Sequence, residues 1–410
     1  MRILYVTSYY KPAYIYGGPI RSISTLCEEL VKTNIDVTVF TTNANGLSRL
    51  DVPLGQPMDI EGVKVWYFPL FGNGLNFSYS PELALALKMQ LDRFDLVVAE
   101  VLWGHALKPI ANLCRRKRIP YIISLRGQLL PWSFEQKRLK KQIYLSLFGY
   151  RYINGASALY CTDPGEAEEA VKLRLGAPTF VVPNGVDTSR FFNLPKRGNF
   201  RKRLNIPDQA AVLLFMGRLH PKKRPDLAIE ALAAAQSLPG ETHLVLAGPD
   251  EMQMISKLQA QAQYLGCANR LHITGLLQGD EILAVLADAD LFLMPSEPES
   301  ENFGMSAAEA MAAGLPILVS EGVPIGHWAE LAGAGRIVPC TVDAFRTVTC
   351  ELLALPDQLK EMGKRGQELV RQRFEISSVA QQMLAQYKSI IELGQPLFAN
   401  SQEILLGIQE

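Results

Sequence analysis

The sequence predicts an α/β fold made of two doubly wound domains, each a parallel sheet covered by helices. Apolar runs of strand length alternate with helix-length amphipathic stretches along the chain, and this alternation is typical of parallel strands joined by helices. The chain has 410 residues, more than one hydrophobic core usually supports. Both periodicities lapse at 183–200, where Pro, Asn and Gly cluster, and this lapse predicts the domain boundary there.

The elements follow this alternation in chain order. The first domain, 1–190, has predicted strands at 2–7, 36–41, 63–68, 95–100, 121–125, 158–162 and 179–183. The second domain, 191–373, has them at 211–217, 242–248, 270–275, 290–296 and 315–320. A final helix at 374–395 is expected to pack back toward the N-terminal domain, and a tail follows at 396–410.

Composition and charge exclude several classes of protein. Hydrophobic residues make up 48% and charged residues 20%, too apolar a balance for a disordered chain. Lys+Arg and Asp+Glu both total 41, which disfavours a dedicated nucleic-acid binder. Residues 1–190 hold 22 basic and 16 acidic residues, net +6, so the remaining 19 basic and 25 acidic residues give −6. The N-terminal half is therefore expected to face something anionic.

The expected location is the cytoplasm, including the inner face of the cell membrane for a peripheral protein. The six cysteines form no C-x-x-C pair, which disfavours a zinc site or a disulfide framework and indicates a reducing compartment. The opening residues MRILYVTSYY lack the pattern of a signal peptide. No apolar run reaches the length of about 18 residues that a membrane-spanning helix needs.

Loops at the carboxyl ends of strands are where open α/β sheets bind ligands. Gly17 and Gly18 lie between the first strand and a predicted helix, where small residues let backbone amides approach a phosphate; a merely tight turn is the alternative. GNGLNF at 72–77 lacks the third glycine of G-x-G-x-x-G and opens no helix. A nicotinamide-dependent enzyme is therefore disfavoured.

The stretch GRLHPKKR at 217–224 follows a predicted strand and places two cations at its carboxyl end. The guanidinium of Arg218 can bind two phosphate oxygens together, and the ammonium of Lys223 can neutralise charge on a leaving phosphate. Cations at a helix start oppose the helix dipole, so several of them suggest an absent anion. Lys222 and Arg224 are expected to be surface residues.

ENFGMSAAE at 301–309 places two carboxylates eight positions apart around a glycine. A helix that begins near Gly304 leaves Glu301 in the preceding loop and Glu309 more than one turn inside, roughly 12 Å apart at most along the axis. That span suits a nucleotide-sugar, with its diphosphate over the amides of Phe303 and Met305. The alternative is a capping glutamate followed by an exposed one.

These stretches, in their order and spacing, resemble glycosyltransferase family 4, the retaining nucleotide-sugar transferases of GT-B fold. The resemblance covers nearly the whole chain, through VPNGVDTSRF, GRLHPKK, LAGPD, LHITG and PSEPESENFGMSAAEAMAAGLPILVS. It implies two Rossmann-like domains facing across a cleft, with 1–190 on the acceptor side and 191–373 binding the nucleotide-sugar. The implied donor is a UDP-, GDP- or ADP-sugar, with no cofactor, and the implied acceptor is a glycan or a lipid-linked sugar.

The resemblance also implies roles for single positions. Arg218 and Lys223 would stabilise the departing diphosphate, and Glu301 would contact the donor hexose. The backbone of 303–306 would face the phosphates, and Glu309 would hold the ribose. The other implied donor contacts are Gly275 and Leu277 beside the base, and Gly17 and Gly18 over the phosphates.

Two positions depart from the family pattern. Where many members carry histidines after the fourth and fifth strands, this chain has Glu100 and Arg126. Arg126 is expected to touch an acceptor or the donor phosphates, and Arg21 is a further acceptor-side candidate. R-G-x-x-x-P-W at 126–132 resembles a branch of the family that acts in surface-polysaccharide assembly.

Asp288 and Asp290 form a D-x-D at a helix-to-strand junction, where a structural role is expected and a metal site is not.

The stretch at 136–152 allows two interpretations. Leu139, Ile143 and Leu147 recur every four residues among several Lys and Arg, as in a helix that lies on anionic lipid. The favoured alternative is a domain helix whose apolar stripe faces its own sheet.

The function expected from these observations is a retaining, metal-independent glycosyltransferase that moves a hexose from a nucleoside-diphosphate sugar to an acceptor hydroxyl. A sugar-nucleotide epimerase of similar architecture is one alternative, and it predicts an isomerised nucleotide-sugar without an acceptor. A catalytically silent sugar-nucleotide-binding protein is the other, and it predicts donor binding without release of nucleoside diphosphate.

Overall fold

The structure is a computed structural model that describes residues 1–72, 78–136 and 138–397. Most of the GNGLNF stretch, Lys137 and the tail from 398 lie outside the described residues. The chain divides into two compact units. The first comprises Met1–Gly185 and the chain from Ile376 onward, and the second comprises Val186–Glu375.

The first unit is built on an eight-stranded sheet. In chain order its strands are β1 (Arg2–Val6), β2 (Asp36–Thr42), β5 (Pro57–Ile60), β6 (Val63–Phe68), β7 (Leu96–Ala99), β8 (Tyr121–Ser124), β9 (Ala158–Cys161) and β10 (Thr179–Val181), with a separate hairpin of β3 (Ala44–Asn45) and β4 (Ser48–Arg49). The sheet order is β10-β9-β8-β7-β1-β2-β6-β5. All pairs are parallel except β5 with β6.

Helices cover the sheet of the first unit. They are α1 (Gly18–Lys32), α2 (Pro81–Gln90), α3 (Leu107–Lys117), α4 (Pro131–Glu135), α5 (Arg138–Tyr144), α6 (Tyr150–Ile153) and α7 (Pro164–Lys172). Strands β7 and β8, near the centre of the sheet, have no exposed residues, because helices cover both faces of a parallel sheet.

The second unit repeats this architecture with a six-stranded parallel sheet. Its strands are β11 (Ala211–Met216), β12 (Thr242–Ala247), β13 (Leu271–Gly275), β14 (Leu291–Met294), β15 (Ile317–Ser320) and β16 (Gly335–Val338), in the order β13-β12-β11-β14-β15-β16. Its helices are α8 (Asn199–Arg203), α9 (Pro225–Ala235), α10 (Ile255–Tyr264), α11 (Asp280–Asp288), α12 (Met305–Ala312), α13 (Pro324–Leu331), α14 (Val342–Leu353) and α15 (Pro356–Leu369).

The strand order creates one switch point in each sheet. Strand β11 pairs with β12 on one side and with β14 on the other, so the loops after β11 and β14 leave neighbouring strands at the same edge. Strand β1 pairs in the same way with β2 and β7. Such points are where open α/β sheets hold ligands.

The last helix, α16 (Ile376–Leu393), belongs to the first unit. It packs against α1, and the hydroxyl groups of Tyr387 and Tyr5 lie 2.6 Å apart in the core. Gly185 lies beneath its first turn, where an added Cβ would come within 2.4 Å of Ile376 Cδ1.

Every strand predicted from the sequence is present, within a few residues at its ends. The prediction missed β5 and β16, as well as the β3–β4 hairpin. Their sequences, PMDI and GRIV for the first two, are short and contain charged or flexible residues, so they carry little of the apolar signal on which the prediction depends.

The preferred interpretation of the stretch at 136–152 is wrong. Leu139, Ile143 and Leu147 are 70%, 50% and 65% exposed, so their stripe faces away from the sheet. A π-helical turn at Leu145–Gly149 separates α5 from α6 and shifts the phase of the helical faces. The residues that face inward are instead Leu145 and Gly149, followed by Tyr152 and Ile153.

Among the described residues, no helix combines the length and the apolar character needed to cross a bilayer.

Candidate active site

The loops after β11 and β14 bring together a lysine and a glutamate that are 78 residues apart in sequence. The Lys223 ammonium donates a hydrogen bond to Oε1 of Glu301, and the same oxygen accepts from Ser296 Oγ at 3.0 Å. The backbone joins the two loops as well, because Glu297 N donates to Lys222 O at 2.7 Å. Two predicted site residues are thus placed in direct contact.

The Lys223–Glu301 pair is largely withdrawn from water, with side chains 16% and 10% exposed. Burial alone would raise the pKa of Glu301, but the charges of Lys223 and Lys222 outweigh it and lower that pKa. Glu301 is therefore a carboxylate at neutral pH, able to accept hydrogen bonds from a hydroxyl group.

Arg218 follows β11 and forms a partly exposed ion pair with Glu251 in the loop after β12, with Nη1 3.2 Å from Oε2. The two side chains are 32% and 31% exposed. A screened pair of this kind contributes little to stability, so its guanidinium can exchange partners at small cost.

Lys222 is a cation that the sequence reasoning placed on the surface, yet its side chain is half-buried. Burial, opposed by the charge of Glu301 and reinforced by the charges of Lys223 and Arg218, lowers the pKa of Lys222 to about 8. The sequence did carry a signal, since three cations within six residues at a strand end indicate a site for an anion.

Arg224 has a structural role. It has a positive φ of 49° immediately before α9, and its guanidinium binds Asp226 at 2.8 Å and Glu297 at 3.0 Å. These contacts connect the start of α9 to the loop after β14.

Helix α12 begins where the sequence predicted. Gly304 is its N-cap with φ 100°, and no described side chain caps the helix there. A Cβ at this position would meet Ile325 Cγ2 at 2.8 Å, so the position favours glycine for two reasons. The amides of Ala307 and Ala308 already donate to Gly304 O, at 3.0 and 3.1 Å. The amides at this N-terminus that suit an anion are therefore those of half-buried Met305 and Ser306.

The remaining residues predicted around α12 are buried. The Phe303 ring packs edge-on against Phe374, with ring centroids 5.5 Å apart, so its backbone is the part that can face a ligand. Glu309 is buried more than one turn inside the helix, as the sequence predicted.

Backbone hydrogen bonds hold the end of β12 close to the ends of β13 and β11. Gly248 N donates to Gly275 O at 2.8 Å, and Gly217 N donates to Ala247 O at 2.9 Å. Gly275 has φ 73°. The side chain of Leu277 is buried in the core, so its backbone rather than its side chain is available to border a base.

The D-x-D carboxylates have structural partners. Asp288 accepts hydrogen bonds from Phe200 N at 2.7 Å and Arg201 N at 2.8 Å, and so caps α8. Asp290 pairs with Arg197 at 2.7 Å and accepts from Val212 N at 2.8 Å. The expectation of a structural role is confirmed. Within residues 1–72, 78–136 and 138–397, no three His, Cys, Asp or Glu side chains are grouped so as to hold a metal.

The predicted residues of the first unit lie after β1 and β8. Gly17 has φ 76° and is the N-cap of α1, and Gly18 is its first residue. Arg21 is half-buried on the same helix. The Arg126 guanidinium is buried against the Glu100 carboxylate, with Nε 2.6 Å from Oε2. That the glycines contact a donor stays a prediction.

Two family models match the chain. Glycosyltransferase Family 4 matches residues 16–190, and Glycosyl transferases group 1 matches residues 196–369.

Several proteins are similar over most of the chain. The GDP-mannose-dependent alpha-(1-6)-phosphatidylinositol monomannoside mannosyltransferase of Mycolicibacterium smegmatis is 27% identical over 383 residues, which cover 89% of this chain and 92% of that protein. An uncharacterized glycosyltransferase of Methanocaldococcus jannaschii, MJ1607, is 28% identical over 340 residues, which cover 78% of this chain and 80% of that protein. Anabaena Alr3699/HepE, solved in complex with UDP and glucose, has a TM-score of 0.74 at 21% identity, covering 95% of this chain and 100% of that one. This last similarity shows the fold.

Proposed function

Because the chain belongs to the group 1 and family 4 glycosyltransferases and has their GT-B fold, we propose that it is a retaining, metal-independent hexosyltransferase. It moves a hexose from a nucleoside-diphosphate sugar to a hydroxyl group of a glycan or lipid-linked acceptor. The observation that carries this proposal is the contact of Lys223 with Glu301, beside Arg218, Lys222 and the uncapped start of α12.

This arrangement matches the charges of a nucleotide-sugar. The diphosphate meets Arg218, Lys223 and the first amides of α12, which together offer positive charge and backbone donors. Glu301, kept ionised by its neighbours, accepts hydrogen bonds from hexose hydroxyls. Glu309 takes the ribose, and the backbone of 275–277 borders the base.

Leaving-group stabilisation is the main catalytic effect in this proposal. As the bond between the anomeric carbon and the phosphate oxygen breaks, negative charge grows on the diphosphate. The Lys223 ammonium and the Arg218 guanidinium stabilise that charge without needing a metal ion. The departing phosphate takes the proton of the acceptor hydroxyl, whose oxygen forms the new bond to the anomeric carbon. The new bond forms on the face that the phosphate leaves, so the anomeric configuration is retained.

We further propose that the first unit contacts an anionic membrane at the inner face of the cell membrane. The exposed stripe of Leu139, Ile143 and Leu147 lies on a segment that also carries exposed Arg138 and Lys140. Apolar side chains flanked by cations suit the interface of anionic lipid. A lipid-linked acceptor, such as the phosphatidylinositol monomannoside in the name of the mycobacterial relative, would be reached from there.

The test is release of nucleoside diphosphate in the presence of EDTA. Purified protein is incubated with UDP-, GDP- and ADP-hexoses, with and without an extract of lipid-linked sugars. Release from one donor that rises with the extract is the expected result and identifies the base. An isomerised nucleotide-sugar would indicate an epimerase. Tight donor binding without release would indicate a silent binding protein.

A further inference from the structure

Arg126 lies in a left-handed turn at the carboxyl end of β8, with φ 43° followed by φ 73° at Gly127. Its side chain is 5% exposed. The guanidinium contacts Glu100 through two atoms, Nε at 2.6 Å and Nη2 at 3.2 Å. Its Nη1 donates to Ser22 Oγ at 3.1 Å and to Asn184 Oδ1 at 2.8 Å. One side chain therefore connects the ends of β7 and β8 to α1 and to the chain that follows β10.

Glu166, buried in the first turn of α7, holds the same turn from the other side. Its Oε1 accepts a hydrogen bond from Gly127 N. Its Oε2 accepts from Thr162 N at 2.6 Å and from Thr162 Oγ1 at 2.8 Å. The residues on both sides of the Arg126–Gly127 peptide bond are thus fixed by buried ionisable side chains.

The turn at 126–128 also holds the loop after β7. Gln128 Oε1 accepts a hydrogen bond from Leu102 N at 3.4 Å, and Gln128 O accepts from Trp103 Nε1 at 3.3 Å. Two loops at the carboxyl edge of the first sheet, 100–106 and 126–133, therefore depend on one turn.

A direct role of Arg126 on a substrate is disfavoured by this geometry. A bound phosphate or sugar would have to displace the buried Glu100 carboxylate, and breaking a buried ion pair leaves an uncompensated charge. We propose that Arg126 and Glu166 are positioning residues, which fix the turn at 126–128 and thereby the loops at 100–106 and 126–133 that receive the acceptor. The statement that these loops receive the acceptor rests on the proposed function. The statement that Arg126 and Glu166 fix the loops is independent of it.

Hydrogen exchange of the ligand-free full chain tests the positioning role. Glu166→Gln leaves one acceptor oxygen beside an NH₂ group, so the side chain cannot accept from both Gly127 N and Thr162 N. Arg126→Lys keeps the charge but removes the planar fork. Peptides covering 100–106 and 126–133 are expected to exchange at least about tenfold faster in both variants, measured at about pH 8. Exchange in 290–310 of the second unit should stay within twofold.

Two control variants match these changes on exposed residues of the same unit. Glu168→Gln lies two residues further along α7, and Arg174 also has a positive φ, of 53°, so Arg174→Lys repeats the second change. Both side chains are exposed, and both variants should exchange like the natural protein. Unchanged exchange at 126–133 in Glu166→Gln and Arg126→Lys overturns the proposal. Faster exchange throughout the chain also overturns it, since it would show general unfolding.

The kinetic consequence is tested with two acceptors. Glycosyl transfer to the lipid-linked sugar extract should fall at least about tenfold in both variants, while hydrolysis of the donor, with water as acceptor, and donor affinity stay within twofold. Equal loss of transfer and hydrolysis would show that Arg126 acts on the reacting atoms and would overturn the positioning role. If the natural protein releases no nucleoside diphosphate, the proposed function fails, and the exchange experiment still decides the positioning role.

Discussion

Lys222 and Lys223 are adjacent in sequence, but their side chains have different electrostatic surroundings. Lys223 forms an ion pair with Glu301, whereas Lys222 is half-buried among charges that lower its pKa to about 8. The sequence predicted a surface position for Lys222, and this prediction is wrong, because the burial of a single lysine depends on which loop covers it.

Lys223→Ala should lower kcat by roughly 10²–10³-fold, the size of effect known for removing one group that stabilises developing negative charge. Donor affinity should change much less, because the same charge matters most as the diphosphate departs. Steady-state kinetics together with calorimetric donor binding measure both quantities. Lys257→Ala, at an exposed position, is the control. Equal losses in turnover and binding would refute the leaving-group role.

Donor affinity should depend on pH through Lys222. With a pKa of about 8, Lys222 carries its charge below that pH and loses it above. Because both phosphates of a nucleotide-sugar stay ionised over this range, binding favours the charged lysine, so the affinity should fall by up to about tenfold between pH 7 and 9. Isothermal calorimetry measures it, and Lys222→Gln should remove the dependence. A variant that keeps the full pH dependence would contradict the assignment to Lys222.

At the scale of elements, the helical segment from Arg138 to Ile153 shows how a single turn decides which face is buried. The π-helical turn at Leu145–Gly149 changes the phase between α5 and α6. The apolar residues before it are exposed, and the residues after it contribute to the core. The four-residue spacing predicted the apolar stripe correctly, but it did not predict whether the stripe faces the sheet or the solvent.

Replacing the stripe should weaken binding to anionic vesicles without loss of folding. The triple variant Leu139→Ser, Ile143→Ser, Leu147→Ser changes side chains that are already exposed, so the free energy of unfolding should change little. Co-sedimentation with phosphatidylglycerol vesicles should fall at least about tenfold, since each apolar side chain that enters the interface contributes on the order of 1 kcal/mol.

The matched control for this variant is Leu331→Ser, an exposed leucine of the second unit, which should bind vesicles like the natural protein. Added salt should also weaken the binding, because cations beside the stripe attract the anionic head groups. Equal binding of the triple variant and the natural protein would show that the stripe does not contact lipid.

At the scale of the whole molecule, the last helix returns to the first unit after the second unit is complete. Met383 of α16 is fully buried in the core of the first unit, and Met311 of α12 is fully buried in the core of the second. The two methionines therefore report on two separate cores.

Met383→Ala should destabilise the first unit by about 2–5 kcal/mol, the usual cost of a large-to-small change in a core. Met311→Ala makes the same chemical change in the second unit. Hydrogen exchange should accelerate in β1 and β2 for the first variant and in β11 and β14 for the second. Acceleration of β11 by Met383→Ala, without any in β1, would contradict the assignment of α16 to the first unit.

Apolar periodicity and motif spacing are local properties of the chain, so they were enough to predict the two Rossmann-like units, all their strands except β3, β4, β5 and β16, the start of α12 at Gly304 and the family. The contact of Lys223 with Glu301, the burial of Lys222, and the hydrogen bonds of Arg126 with Glu100, Ser22 and Asn184 depend on how the folded elements pack, and no local pattern predicted them. These contacts join residues between 26 and 104 positions apart, and their partners follow from the order of strands in the sheet. The direction of the stripe at 139–147 was likewise decided by packing, since a helix with one apolar stripe can turn it to either side until its neighbours are placed.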